Sequence, residues 1–204
     1  MPVSLLQFSA TLDNLVYSQS FADTGNGSEK HDIVLPAGLA GSAAWGASSS
    51  VITLATGHGL TTANKVAVAW STSSRIGMTI SAYDATSITV TNSTGAGDSL
   101  PTSSTAACVV GNAVDCPDIS FDGDNASFLI VKSSAGTWCK VNFLKADSTT
   151  SILIKELTAA NPGYYWSYLS GVTPPITGDP VGDAKGYNLT TTTTTIQVGV
   201  RLAT

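Results

Sequence analysis

The chain has 204 residues, a mean hydropathy of +0.20 and a net charge of −5, from nine basic and fourteen acidic residues. With 43% apolar and only 11% charged residues it is not a chain held open by its own charge, and without clustered Lys and Arg it is not built to bind nucleic acid. Ser and Thr number 26 and 27 against two Glu and two Met, so strand formers dominate and helix formers are scarce.

Taken in chain order, Leu6, Phe8, Ala10 and Leu12 alternate with Gln7, Ser9 and Thr11, the period of a half-buried strand. Residues 23–28 form a Gly- and Asn-rich turn, and 31–35 a second strand stopped by Pro36 and Gly38. Five short strands follow at 48–54, 65–70, 76–83, 87–92 and 105–110, separated by Gly, Ser, Asn or Pro. Segments 119–121, 128–132, 138–145, 151–157, 164–169 and 192–203 continue the pattern, with a single helical turn as the alternative over 153–160. The expected class is all-β, a sandwich or barrel domain with a small inserted β module.

The insertion is read from a change in composition. Residues 44–111 carry only Lys65, Arg75, Asp84 and Asp98 as charges, contain no Phe or Glu, and hold 24 Ser and Thr. They are expected to form a five-stranded module inside a main β domain built from 1–43 and 112–204. Two sequential domains split near 112 are the alternative. Insertion is preferred, because 43 residues with two strands would scarcely fold alone.

No signal peptide is read at the N-terminus, and no run reaches the roughly 20 apolar residues of a membrane span. Cys108, Cys116 and Cys139 are odd in number and unrelated in spacing, which suits buried thiols better than a disulfide framework or a metal site.

The middle segment contains Ile52-Thr53-Leu54-Ala55-Thr56-Gly57-His58-Gly59-Leu60-Thr61-Thr62, then Val66-Ala67-Val68-Ala69-Trp70. It goes on to Arg75-Ile76-Gly77-Met78-Thr79-Ile80 and Gly95-Ala96-Gly97-Asp98-Ser99-Leu100-Pro101. This resembles a small β module of tailed-bacteriophage structural proteins, in which a strand is followed by Gly-His-Gly-Leu/Ile-Thr-Thr-Gly and a second strand. Ala63 stands where the module has its last Gly. The resemblance covers about a third of the chain. It implies a virion protein made in a host cytoplasm, without enzymatic activity or cofactor.

His58 between two glycines fits a tight turn whose imidazole caps backbone groups. His31 fits a polar strand end. Asp115, Asp118, Asp122 and Asp124 with Asn125 read as a wet acidic edge, or as a weak calcium site through hard oxygen ligands, although Ser133 stands where an EF-hand needs its Glu. No Gly-x-Ser-x-Gly elbow or P-loop is present. Tyr164, Trp166 and Tyr168 alternate with Tyr165, Ser167 and Leu169, so one strand face carries three aromatics. That face is sandwich core, subunit interface or glycan platform. The run Thr190 to Thr195, with Thr191, Thr193 and Thr195 on one face, is an edge strand or a contact strand between identical subunits. Trp45, Trp70 and Trp138 are expected to anchor the core.

The expected function is a capsid decoration (cement) protein on the outside of an assembled capsid, with the major capsid protein or another virion protein as partner. A homo-oligomer is expected, a trimer by preference, with no catalytic residue, no metal, and neither nucleic acid nor membrane as partner. The alternative is a tail, baseplate or fibre protein that binds a receptor or glycan.

Overall fold

The computed structural model describes residues 5–12, 15–22, 28–102, 104–116, 121–122, 126–133, 137–145, 147, 150–167 and 180–202. Among them every regular element is a strand. The expected helical turn at 153–160 is absent: Ser151–Leu157 is a strand, paired along its length with Cys139–Lys145.

Six strands close an antiparallel barrel: β4 (Leu39–Ala44), β5 (Ser49–Leu54), β6 (Lys65–Trp70), β7 (Ser73–Tyr83), β8 (Ser87–Thr91) and β10 (Thr105–Asp115). They pair in the order β4, β5, β8, β7, β6, β10 and back to β4. The two-residue β9 (Ala96–Gly97) pairs with the start of β7. Ile52, Leu54, Val66, Val68, Met78, Ile80, Ile88 and Val90 fill the barrel. Trp45 and Trp70 meet inside it edge to face, ring centroids 5.2 Å apart. The barrel therefore begins at Leu39, ahead of the composition change at 44. Its sixth strand, Leu-Ala-Gly-Ser-Ala-Ala, is too poor in β-branched residues to read as a strand alone.

Two further sheets face each other. One holds β15 (Gly163–Ser167), β12 (Ala126–Ser133), β17 (Thr194–Leu202) and β3 (Ser28–Leu35), in that order. The other continues from the barrel, where β10 hands on to β16 (Pro180–Asn188), β13 (Cys139–Lys145) and β14 (Ser151–Leu157), with β11 (Phe121–Asp122) beside β16. Ile33, Leu35, Leu129, Val131, Ile196 and Val198 from the first sheet meet Val141, Phe143, Leu157, Val181 and Ala184 from the second in one dry core. A hairpin of β1 (Leu5–Leu12) and β2 (Leu15–Ala22) forms a separate two-stranded sheet.

Barrel and sandwich share a seam. In Val66-Ala67-Val68-Ala69-Trp70 the large residues point into the barrel. Ala67 and Ala69 point out and lie under Tyr187 and Leu189. Small side chains at alternate positions let the two layers approach, so β6 is buried on both faces beyond Lys65. Gly111 marks the crossing: a Cβ there would stand 2.1 Å from the Asn188 carbonyl oxygen. A bulge opposite Ala67, with Gly77 at φ +71, sends Ile76 to the seam and Met78 into the barrel.

Candidate functional site

The residues behind the resemblance fold into one pinned turn. Gly57 and Gly59 have φ of +80 and +71, a conformation that β-carbon sterics deny to most residues, with His58 between them. His58 Nδ1 accepts the Leu60 N–H at 3.0 Å. The proton of the neutral ring therefore sits on Nε2, which donates to the Asp84 carbonyl at 2.9 Å. Thr61 N donates to Asn64 Oδ1 at 2.8 Å, and Leu60 is buried in the barrel. The imidazole does cap backbone groups, as the Gly-His-Gly context implies.

The partner loop is held as firmly. Asp84 accepts from Thr86 N and Ser87 N, each at 2.7 Å, and from Ser87 Oγ at 2.9 Å. These bonds, the Thr86 amide foremost, hold its pKa below the usual carboxylate value. Across the barrel, Arg75 donates to three carbonyls, those of Thr94 at 2.7 Å, Gly95 at 3.0 Å and Asp98 at 3.2 Å. Asp98 Oδ2 in turn accepts from Ser74 N at 2.9 Å. These are side-chain clamps on loops. The Asp-Ala-Thr-Ser run at 84–87 is an Asx-turn signal; Arg75 gives no such local signal.

The aromatic strand divides. Tyr164 is half-buried against the sandwich core, with Lys155 Nζ 3.7 Å above its ring. Burial raises the Tyr164 pKa and lowers that of Lys155. Strand pairing sets Tyr164 opposite Val131 and Trp166 opposite Leu129. Tyr168 lies outside the described residues.

The threonine run does not form an edge strand. Only Thr194 and Thr195 belong to β17, and β17 is a central strand, paired with β12 on one side and β3 on the other. Thr194 and Thr195 therefore have strands on both sides, and Thr190 to Thr193 lie outside any strand. The reason is Asn188, buried at 2% exposure. Its Oδ1 accepts from Thr190 N at 3.0 Å and Thr190 Oγ1 at 2.9 Å. Its Nδ2 donates to Pro36 O at 2.9 Å and Thr192 O at 2.6 Å. That closes a bend over 190–192 and leaves Thr191 and Thr193 exposed, while Thr195 sits opposite Val34 on β3. His31 also differs from expectation: it lies within β3, opposite Val198, and not at a strand end.

Of the acidic group, Asp118, Asp124 and Asn125 lie outside the described residues. Asp115 is exposed and meets Lys185 Nζ at 2.5 Å; Asp183 meets the same ammonium at 3.1 Å. Burial lowers the Lys185 pKa, but the two carboxylates outweigh it, and the net shift is upward. Asp122 is paired through its backbone with Pro180. Among the described residues no three His, Cys, Asp or Glu converge as a metal site would require. Cys108, Cys116 and Cys139 are free and buried, and burial pushes their thiols up to about 11, 12 and 12. Trp138 donates from Nε1 to Glu156, which also pairs with Lys140 at 3.6 Å. No helix of the described residues is long and apolar enough to cross a membrane.

No family model, curated protein or solved structure matches the chain.

Proposed function

We propose that the chain is a non-enzymatic structural component of a tailed-bacteriophage virion, a decoration (cement) protein seated on the outside of the assembled capsid. The observation that carries this reading is the Gly57-to-Thr62 run. It resembles the phage module in sequence and forms a turn fixed at both imidazole nitrogens on a closed barrel. The clamps of His58, Asp84, Arg75 and Asn188 fit the same reading. They tie exposed loops to backbone groups, and local opening is what a particle protein outside a cell must resist. The partner is the major capsid protein, met as a homo-oligomer, by preference a trimer. Binding the assembled shell but not loose subunits stabilises the shell by mass action.

The test is reconstitution on particles lacking the protein. Added protein is expected to bind in a fixed number per capsid and to raise the temperature at which the capsid releases DNA. Failure to bind the shell, or recovery only with isolated tails, overturns it.

A further inference from the structure

The loop between β5 and β6 is pinned near both ends by hydrogen bonds that involve no histidine. Near its start, Gly57 N donates to Ala85 O at 3.1 Å. Near its end, Thr61 N donates to Asn64 Oδ1 at 2.8 Å, and Asn64 N to Thr61 O at 3.1 Å. The stretch between is held by His58, whose Nδ1 accepts the Leu60 N–H at 3.0 Å. Leu60 is buried in the barrel, so this amide lies where the chain turns from the exposed loop into the core.

Nδ1 can accept that amide only in a neutral ring. An imidazolium carries a proton on each nitrogen and offers two donors and no acceptor. A second proton on His58 therefore sets an N–H against the Leu60 N–H. The bond on the other side survives the same event, because Nε2 donates to the Asp84 carbonyl in either state. The two bonds of one ring respond oppositely to acid: one is lost, and the other becomes charge-assisted.

The charged and titratable groups nearby sharpen this asymmetry. Asp84, on the β7–β8 loop, has a carboxylate that accepts from Thr86 N and Ser87 N. Those bonds hold its pKa below the usual carboxylate value, so it keeps its charge through the range in which a histidine ionises, and it draws a charged ring to its own loop. Tyr83 precedes it and is exposed. Lys65, just past the β5–β6 loop, donates to Thr79 Oγ1 at 2.6 Å. Gly57 and Gly59, at φ +80 and +71, supply the freedom to move, since a glycine leaves that region as readily as it enters it.

We propose that His58 is an acid-released latch on the barrel rim. As a neutral ring it joins the Leu60 amide to the Asp84 carbonyl. As a cation it stays with the Asp84 loop and lets the chain go at Gly59 and Leu60, while Gly57 and Thr61 keep their own bonds. The opening is local: it frees the exposed turn beside the core and leaves the barrel closed. The latch belongs to the single chain, so it is tested on purified full-length protein without particles.

The test follows the ring and amide nitrogens by NMR from about pH 8 down to about pH 5, the span in which histidines take up their second proton. At the upper end the His58 ring is expected to carry its proton on Nε2 alone, and at the lower end on both nitrogens. The Leu60 amide is expected to shift in step with the ring and to lose about three- to tenfold of its exchange protection, the worth of one hydrogen bond. Amides of the β5–β8 strand pair are expected to keep theirs. In His58→Gln the Leu60 step is expected to vanish, which separates this ring from His31, the other histidine of the chain, in β3. A ring still singly protonated at the lower end overturns the proposal. So does a Leu60 amide that holds its shift and protection while the ring charges, a Leu60 step that persists in His58→Gln, or protection lost across the β5–β8 pair as well.

Discussion

His58 reaches across 26 residues of sequence to the carbonyl of Asp84, and the 2.9 Å bond from its Nε2 ties two neighbouring loops at one rim of the barrel. The same ring accepts the Leu60 amide, and Leu60 is the residue that turns back into the core. One side chain thus fixes both the course of the loop and its distance from the next strand pair. Two backbone amides add to this junction of the two loops, Gly57 N to Ala85 O at 3.1 Å and Leu54 N to Thr86 O at 2.8 Å.

His58→Ala removes both side-chain bonds and leaves the Leu60 amide and the Asp84 carbonyl to water. At about 0.5–1.5 kcal/mol per hydrogen bond, the expected loss is about 1–3 kcal/mol in chemical unfolding of the barrel. His58→Gln is expected to recover only part of it, since the donor and acceptor of an amide point in similar directions, whereas those of the imidazole diverge toward its two partners. An unchanged unfolding midpoint for His58→Ala would remove the ring from the account of this loop.

Asp84 makes the same rim sensitive to acid. Its folded pKa lies below the ordinary carboxylate value of 3.8, chiefly through the Thr86 amide, so the unfolded chain takes up the proton first. The stabilisation is complete above the unfolded value and is lost as pH falls through the folded one. Asp84→Asn keeps the shape and removes the titration. The stability gap between wild type and variant, followed from neutral pH down through the carboxylate range, is expected to narrow on acidification; a gap independent of pH contradicts the assignment.

How legible these features were in the sequence depends on where their partners lie. The 57–59 turn could be read because two glycines flank one histidine, and their positive φ values are a local matter. The alternation in 65–70 could be read as a strand, but not that its alanines mark a seam, because Tyr187 and Leu189 cover them from far along the chain. The strand β16 is not among the expected segments: its sequence, Pro-Val-Gly-Asp-Ala-Lys-Gly-Tyr-Asn, carries Pro, Gly and charges that disfavour a strand locally. It is a strand because its neighbours require it. Pro180 stands at its start, and a Cβ on Gly186 would stand 2.6 Å from the Leu35 side chain. Likewise a Thr run favours strand locally, but Asn188 binds Pro36 and Thr192 and overrides that preference at Thr190–192.

Asn188 is therefore the position where a small change is expected to cost most for its size. Asn188→Ala removes the acceptor for Thr190 and the donor to Pro36 and Thr192, all in a nearly closed environment. Loss of several bonds at a buried site is expected to cost about 3–4 kcal/mol in urea unfolding. Asn188→Asp is expected to be worse, because a carboxylate would face the Pro36 and Thr192 carbonyl oxygens without a proton to offer. An Asp variant as stable as the Ala variant would mean that the side chain's orientation is not what holds the bend.

Tyr187 tests whether the barrel and the sandwich unfold as one body. It is 1% exposed, belongs to β16 of the sandwich, and packs on Ala67, Ala69 and Ile76 of the barrel wall. Its phenol is held neutral, burial raising its pKa first and the Asp183 and Asp115 charges adding to that. Tyr187→Ala empties the centre of the seam while leaving the cores on either side intact, at an expected cost of about 3–5 kcal/mol for a large aromatic. Because the loss falls on the contact between the cores, the wild type is expected to unfold in one transition and the variant in two. In a Trp138→Phe, Trp166→Phe, Cys108→Ala background, Trp45 and Trp70 report the barrel by fluorescence, and thiol labelling of Cys116 and Cys139 reports the sandwich. Tyr187→Phe keeps the ring and is expected to keep the two reporters coincident. If Tyr187→Ala lowers stability but the reporters still move together, the shared strand β10 and not the aromatic seam carries the coupling.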